Sequence, residues 1–170
     1  MNAPSHAHYA SAILCRALDT VKGEIAAYPD DDSVWTTPPG IMNSAGTLAL
    51  HLAGNLSHFI GAQLGKTGYV RDREAEFASR NISRVEIIQK LEAAITAGEA
   101  SLAPLSDQDL HGDYPLQLGN TTVHSGDFMI HLVAHLGYHL GQIDYHRRLT
   151  CGGQTVSALL IPNLSSAEKK

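Results

Sequence analysis

Histidine is the residue type through which this chain is best equipped to do chemistry. Its 170 residues include ten histidines, against three phenylalanines and one tryptophan. Three of them, His131, His135 and His139, follow one another at intervals of four residues. A step of four residues turns an α-helix by about 40°, so neighbouring members of this series share a face and could chelate one metal ion. Gln142 and His146 continue the same polar stripe.

A second polar stripe lies in the sequence GTLALHLAGNLSHFIGAQLG. Here His51, Asn55 and His58 fall on one helical face that leucines frame on both sides. A glycine costs about 1 kcal/mol relative to alanine inside a helix. Glycines beside this stripe therefore indicate close approach of another backbone or room for a ligand, and there are three: Gly54, Gly61 and Gly65.

Two interpretations of these histidines compete. A single histidine on an apolar face is most often a hydrogen-bonded core residue, and this interpretation applies to His58 or His131 taken alone. Several unpaired imidazoles in one core would leave polar atoms unsatisfied at about 1–3 kcal/mol each, a cost that a shared metal ion removes. Taken together, His51, His135 and His139 indicate a metal site. Four further histidines are expected in loops or at helix ends: His6, His8, His111 and His124.

Several familiar catalytic motifs are absent from the sequence. It contains no HExxH, GxSxG, GxxxxGK[ST], CxxC or GxGxxG pattern, and no Glu-x-x-His pair of the kind that di-iron bundles use. The acidic run from Asp30 to Asp32 is interpreted as a solvated loop. No catalytic or substrate-binding residue can be assigned from motifs alone.

The composition favours a single folded domain that does not bind nucleic acid. The chain is 44% hydrophobic and 17% charged, and its 12 basic residues against 17 acidic ones give a net charge of -5. Such a balance leaves no basic surface for a phosphate backbone. No apolar run is long enough to span a bilayer and the first residues lack signal-peptide features, so we expect a cytoplasmic protein. Cys15 and Cys151 are expected to be reduced thiols.

Apolar periodicity and end signals predict four helices and an all-α bundle. Ser83 and Glu86 form a predicted capping box at the start of the third helix. The connection over residues 66–81 is long enough for a crossover that lets the second and third helices lie parallel. Residues 105–122 are expected to hold turns and short extended pieces. The predicted helices are Ser5–Tyr28, Asn43 or Ser44 to Leu64, Ser83 to Pro104, and Val123–Leu149, the last of which ends at Gly152-Gly153. Residues 1–150 are predicted to form the domain, and residues 151–170 are predicted to form a partly mobile extension.

Two motifs resemble a known family. HLAGN, which begins at His51, and HLGYHLGQIDYHRR, which begins at His135, are similar to motifs of the DinB/YfiT-like superfamily, specifically an uncharacterised bacterial branch. The resemblance implies a four-helix bundle with a long crossover between its second and third helices, often as a homodimer. It also implies a metal held by His51, His135 and His139, with no ligand role for His131.

The sequence restricts the possible functions of the protein less than it restricts the fold. Three imidazoles leave a coordination position open, which is typical of catalytic rather than structural metal sites. The superfamily includes thiol-dependent S-transferases and proteins labelled metal-dependent hydrolases, so we expect a hydrolase or a small-thiol S-transferase acting on a small molecule. Zn or Ni is the expected ion, with Fe, Co and Mn as alternatives. Asn55 and Gln142 are expected to orient the bound species. The competing hypothesis is a non-catalytic, metal-stabilised binding or structural protein.

Overall fold

The computed structural model of the protein describes residues 4–153 and Val156. Over these residues the chain forms six α-helices and two short helical segments of other types. A 3-10 turn covers Ser33–Trp35, and a π-helical segment, Ser57–Ala62, continues the second helix. The α-helices are α1 (His6–Ala26), α2 (Ala45–Leu56), α3 (Arg73–Ala78), α4 (Arg84–Leu102), α5 (Asp107–His111) and α6 (Ser125–Cys151).

Serine side chains start three of the four long helices. Ser5, Ser44 and Ser83 each accept a hydrogen bond from the backbone N–H three residues later, which satisfies one of the free donors at the helix start. At α4 only this half of the predicted capping box forms, and the Glu86 carboxylate lies 4.0 Å from Lys90 Nζ instead. A complete capping box occurs instead at the start of α5, between Ser106 and Asp109.

The four long helices pack as a bundle around one apolar core. Both α1 and α2 pack mainly between α4 and α6, so α1 and α2 lie across the bundle from each other. Each long helix contributes fully buried side chains to this core, for example Val21, Leu52, Leu91 and Leu136. This arrangement places α2 directly beside α6, the two helices that carry the histidine stripes.

The long crossover after α2 lets α2 and α4 lie parallel, as expected. Gly61 lies against Ala97 and Gly65 against Ser101, so the C-terminal ends of both helices meet. A Cβ at residue 65 would come within 1.8 Å of Ser101 Oγ, which explains that glycine as a point of close approach. The crossover also contains α3, a helix that the sequence analysis did not predict.

The remaining segments differ from expectation in smaller ways. Residues 105–122 contain α5, which was not predicted, and take part in two isolated β-bridges, Asp113 with His124 and Leu118 with Thr121. α6 continues past the predicted end to Cys151, and Gly152 follows with a φ of 74°. Most of the predicted C-terminal extension, residues 154, 155 and 157–170, lies outside the described residues. Among the described helices, none combines the length and apolar character needed to cross a membrane.

Candidate metal centre

The packing of α2 beside α6 brings three of the predicted site residues together. His135 Nε2 lies 3.3 Å from His51 Nε2 and 3.1 Å from His139 Nε2. The ligand atoms of all three residues lie within 4.8 Å of one another. The four-residue spacing of His135 and His139 aligns them on α6, and tertiary packing adds His51 from α2.

A carboxylate fixes the orientation of the His51 ring. Its Nδ1 lies 3.1 Å from Glu76 Oε2, and Arg71 donates to the two oxygens of that carboxylate over 2.7 and 2.8 Å. Burial disfavours the ionised form of Glu76, but the Arg71 guanidinium and His51 outweigh burial and lower its pKa. An ionised Glu76 accepts a hydrogen bond from the N–H at His51 Nδ1. With its proton on Nδ1, the neutral ring presents the lone pair of Nε2 to the cluster.

An amide oxygen fixes the His139 ring in the same sense. His139 Nδ1 lies 2.6 Å from Gln142 Oε1, an acceptor, so Nδ1 carries the proton and Nε2 presents its lone pair. Sequence analysis assigned Gln142 to a bound species, whereas its contact is with a ligand residue. Metal-binding histidines usually donate their second N–H to such a partner, and the partner sets the tautomer.

The donor set fits a divalent metal ion. Two ring nitrogens that present lone pairs lie on either side of His135 Nε2, and a proton on that nitrogen could bond to only one of them at a time. Nitrogen ligands about 2.0–2.1 Å from a tetrahedral ion are roughly 3.4 Å apart, close to the 3.3 and 3.1 Å that separate His135 Nε2 from the other two Nε2 atoms. Burial, followed by the neighbouring His139 and His51, lowers the pKa of His135 to about 4, so its imidazole stays neutral at neutral pH. Burial also lowers the pKa of His139.

The site opens to solvent on one side. His51 is buried, whereas His135 and His139 are each half-buried. The Phe77 ring packs 5.1 Å from the His51 ring, and the Tyr138 ring lies 5.3 Å from that of His139. An ion held here would therefore be walled in at His51 and accessible from the α6 side.

Sequence analysis did not identify Glu76 and Arg71. Both lie in or beside α3, within the crossover that was interpreted only as a polar connection. One signal in the sequence could have indicated Glu76. A metal-binding histidine usually has a carboxylate or carbonyl partner, and this acidic stretch follows the helix that carries His51. Gly54 was a second signal, because a Cβ there would lie 2.1 Å from Glu76 Oε1. The glycine thus leaves room for the carboxylate.

The other histidine-stripe residues lie around the cluster without joining it. The exposed His131 ring stacks 6.0 Å from that of His135 and 5.8 Å from Phe128. His58 is half-buried, and Asn55 is buried with an Oδ1 that has no hydrogen-bond partner within the described part of the chain. The four histidines expected in loops or at helix ends are all exposed: His6, His8, His111 and His124.

Neither cysteine contributes to the cluster. Cys15 is half-buried on α1, and burial raises its pKa to about 11, so it is protonated at neutral pH. Cys151 is exposed at the end of α6. Among the described residues, the metal-type cluster consists of the three histidines alone.

Solved structures with a similar fold support the bundle assignment. A DinB-like protein from Bacillus cereus ATCC 10987 aligns with a TM-score of 0.62 and 16% identity, covering 79% of this chain and 85% of that one. A conserved protein from Enterococcus faecalis aligns with a TM-score of 0.69 and 17% identity, covering 89% of this chain and all of the other. No curated protein matches. The model of one family, described as "Protein of unknown function (DUF1572)", matches residues 7–163, so the chain belongs to that family and has the DinB-like fold that its motifs predicted.

Proposed function

We propose that this protein is a metal-dependent enzyme whose three-histidine centre activates a small nucleophile from solution. The observation that carries the proposal is the asymmetric burial of the cluster, with His51 buried and both α6 histidines half-buried. A purely structural ion is normally enclosed by four protein ligands. Here three imidazoles converge, and the α6 side is left for water, a thiol or a substrate.

The chain's own residues hold and orient the ligand set. Glu76, itself held by Arg71, keeps the proton of His51 on Nδ1, and Gln142 does the same for His139. His51, His135 and His139 would hold a divalent ion, and that ion would supply the Lewis acidity that lowers the pKa of a water molecule toward neutrality or keeps a small thiol as its thiolate. Zn and Ni suit an all-nitrogen donor set, and Fe, Co and Mn are alternatives.

The attacking group comes from outside the protein in this proposal. Neither Cys15 nor Cys151 lies in the cluster, and burial keeps Cys15 protonated. Water as the nucleophile corresponds to a hydrolase, and a low-molecular-weight thiol corresponds to an S-transferase. Asn55 lies one turn beyond His51 on α2, and its buried Oδ1 has no hydrogen-bond partner within the described residues, so it is available to accept a hydrogen bond from a substrate N–H or O–H group that reaches it.

Cobalt substitution separates the two nucleophiles. Co(II)-loaded protein is titrated with a small thiol and, separately, with acetohydroxamate while the visible and near-ultraviolet spectrum is followed. A saturable sulfur-to-cobalt band, lost in His51→Ala and kept in His8→Ala, supports the S-transferase. A response to the hydroxamate alone supports the hydrolase. If no small ligand changes the spectrum of fully loaded protein, the open coordination position does not exist and the enzyme proposal fails.

A metal-stabilised, non-catalytic bundle is the second candidate. The observation in its favour is that the ligands come from two helices, so an ion would cross-link α2 to α6. Chelator-treated protein distinguishes the candidates through its circular dichroism. The enzyme proposal expects helix content and cooperative unfolding to survive metal removal, because the apolar core does not include the histidines. Unfolding on metal removal supports the structural role.

A further inference from the structure

A cavity of about 520 Å³, the α2–α6 cavity, lies between the segment that precedes α2 and the C-terminal half of α6. Leu48 lines it from α2, one helical turn before His51, and Gln142 lines it from α6, one turn after His139. Gln142 connects the cavity to the histidine cluster, because its Oε1 bonds to His139 Nδ1 while its side chain forms part of the cavity wall. The cavity therefore begins about 5 Å along the helix from a candidate metal ligand.

The lining of the α2–α6 cavity carries no charge. Within the part of the chain that the structure describes, it contains no Asp, Glu, Lys or Arg. Its histidine is His146, and burial lowers the pKa of this ring, which is therefore neutral at neutral pH. Both His146 ring nitrogens are bonded, to the Tyr28 hydroxyl and the Thr36 carbonyl, so neither is left for a ligand. A charged group that entered the cavity would lose its hydration without meeting an opposite charge in the lining.

Four apolar or aromatic side chains of this lining are open to solvent. Met42 is 91% exposed and Leu149 is 69% exposed, and Ile41 and Tyr145 are exposed as well. Single exposed apolar side chains are normal on a protein surface, but here four of them border one cavity. Apolar surface gathered at a concave site is typical of a place where a small molecule binds.

Two further clefts of similar size differ from this cavity in charge or in place. A cleft of about 520 Å³ beside α3 is lined by Asp72, Glu76 and Lys90 among others. A cleft of about 670 Å³ lies at the opposite end of α6, beside Asp107 and Asp127. Neither combines an uncharged lining with a position next to the histidine cluster.

We propose that the α2–α6 cavity binds an uncharged acyl or alkyl group of the substrate, whose reacting group lies at the histidine cluster; this assignment rests on the proposed metal-dependent function. Gln142 and Leu149 are seven residues apart, which is about 10 Å along α6. An extended chain advances roughly 1.2 Å per bond, so about eight bonds of it fit along this wall. The substrate class is therefore an uncharged chain of medium length with its reacting group at one end.

Methionine methyl NMR tests the cavity whether or not the cluster holds an ion. Of the three methionines in the full chain, Met42 lines the α2–α6 cavity and Met129 lines the cleft at the other end of α6. Hexanamide, titrated in zinc-containing buffer, should shift the ¹³C-methyl signal of Met42 saturably and leave that of Met129 in place. The analogue 6-aminohexanamide, whose chain ends in an ammonium group, should bind at least about tenfold more weakly. No saturable shift at Met42, or equal affinity for the two amides, overturns the proposal.

A charge introduced at the edge of the cavity should weaken the same binding. Leu149→Asp should raise the dissociation constant of hexanamide at least about tenfold, because the carboxylate keeps water where the chain would lie. Ile130→Asp is the matched control, since Ile130 is 72% exposed on the same helix but borders the other cleft. This control should bind hexanamide as wild type does, and circular dichroism checks that both variants are folded. Equal weakening in the two folded variants overturns the placement.

Chain length tests whether the cavity and the cluster act on one ligand. Alkyl hydroxamates of two to ten carbons are titrated into Co(II)-loaded protein while its spectrum is followed. The first bonds of the chain span the roughly 5 Å between the cluster and the cavity, and each methylene group beyond them should strengthen binding up to about fourfold.

Octanohydroxamate should therefore bind at least about 30-fold more tightly than butanohydroxamate, and Met42→Asp should remove most of that advantage. An affinity that does not depend on chain length, in protein that binds acetohydroxamate, overturns the proposal. If no hydroxamate changes the spectrum, the proposed metal-dependent function fails, and the Met42 shift then decides by itself whether the cavity binds an uncharged chain.

Discussion

His139 and His146 lie seven residues apart on one stripe of α6, yet their surroundings differ completely. Both ring nitrogens of His146 have partners within the chain. Its Nδ1 accepts from the Tyr28 hydroxyl over 2.6 Å, and its Nε2 donates to the Thr36 carbonyl over 2.9 Å. His139 Nδ1 bonds to Gln142 Oε1, whereas its Nε2 lies 3.1 Å from His135 Nε2 inside the three-histidine cluster.

The comparison shows what distinguishes a structural histidine from a candidate metal ligand. The criteria are the tautomer of the ring and the hydrogen-bond partners of its two nitrogens, rather than its position on the stripe. His146 is held with its proton on Nε2, buried, and joined to the segment between α1 and α2. His51 and His139 are held with their protons on Nδ1, so their lone pairs face an open cluster. A sequence stripe places both kinds of histidine on one face without distinguishing them.

The largest expected effect is the loss of bound metal when a histidine of the three-histidine cluster is replaced. His135→Ala or His139→Ala should remove most bound metal, because two imidazoles hold a divalent ion far less tightly than three. His146→Gln and the exposed His6→Ala should keep it. Metal per chain, measured by elemental analysis after equilibration with a weak chelator, is the readout. Full metal in both cluster variants would remove the site.

The next largest effect is on the free energy of unfolding when His146, the structural histidine of the comparison, is replaced. His146→Ala leaves the Tyr28 hydroxyl and the Thr36 carbonyl without their partner, which should lower the free energy of unfolding by about 2–4 kcal/mol. His131→Ala, at an exposed position of the same helix, should change it by less than about 0.5 kcal/mol. Urea unfolding of chelator-treated protein measures both. Equal losses in the two variants contradict the structural role of His146.

A smaller effect is expected when a partner of a ligand is changed. Glu76→Gln removes the negative charge beside His51 and should weaken metal binding by about 10–100-fold. Glu74→Gln changes an exposed carboxylate on the same helix and serves as the matched control. Competition with a coloured chelator gives the two dissociation constants. If both variants bind metal equally well, Glu76 does not tune the site.

The smallest effect is a pH dependence that belongs to His146. Burial lowers the pKa of His146 in the folded protein, and its bond to Thr36 only partly opposes this. The unfolded chain, with a histidine pKa of about 6.5, therefore binds this proton first as the pH falls. Stability from His146 is complete above pH ~6.5 and decreases below it, by at most about 1.4 kcal/mol per pH unit. The difference between the unfolding free energies of chelator-treated wild type and His146→Gln should be largest at pH ~7 and should shrink toward pH ~5.5. A difference that stays constant over this range contradicts the prediction.

The sequence by itself determined the local features of this protein. Apolar periodicity and serine caps located the four long helices to within a few residues, because helix formation depends on neighbours three and four positions away. The same local geometry placed His135 and His139 together on one face. The addition of His51 rested on its motif and on the cost of burying unpaired imidazoles. Metal binding, homodimer formation and the cytoplasmic location remain predictions.

Only the tertiary structure decided which groups complete the cluster. Glu76 follows His51 by 25 residues, and their contact depends on how the crossover folds back over α2. No local rule fixes the partner of a side chain across such a distance, because it depends on the packing of the whole bundle. For the same reason the sequence did not reveal the partners of His146, which lie 118 and 110 residues away.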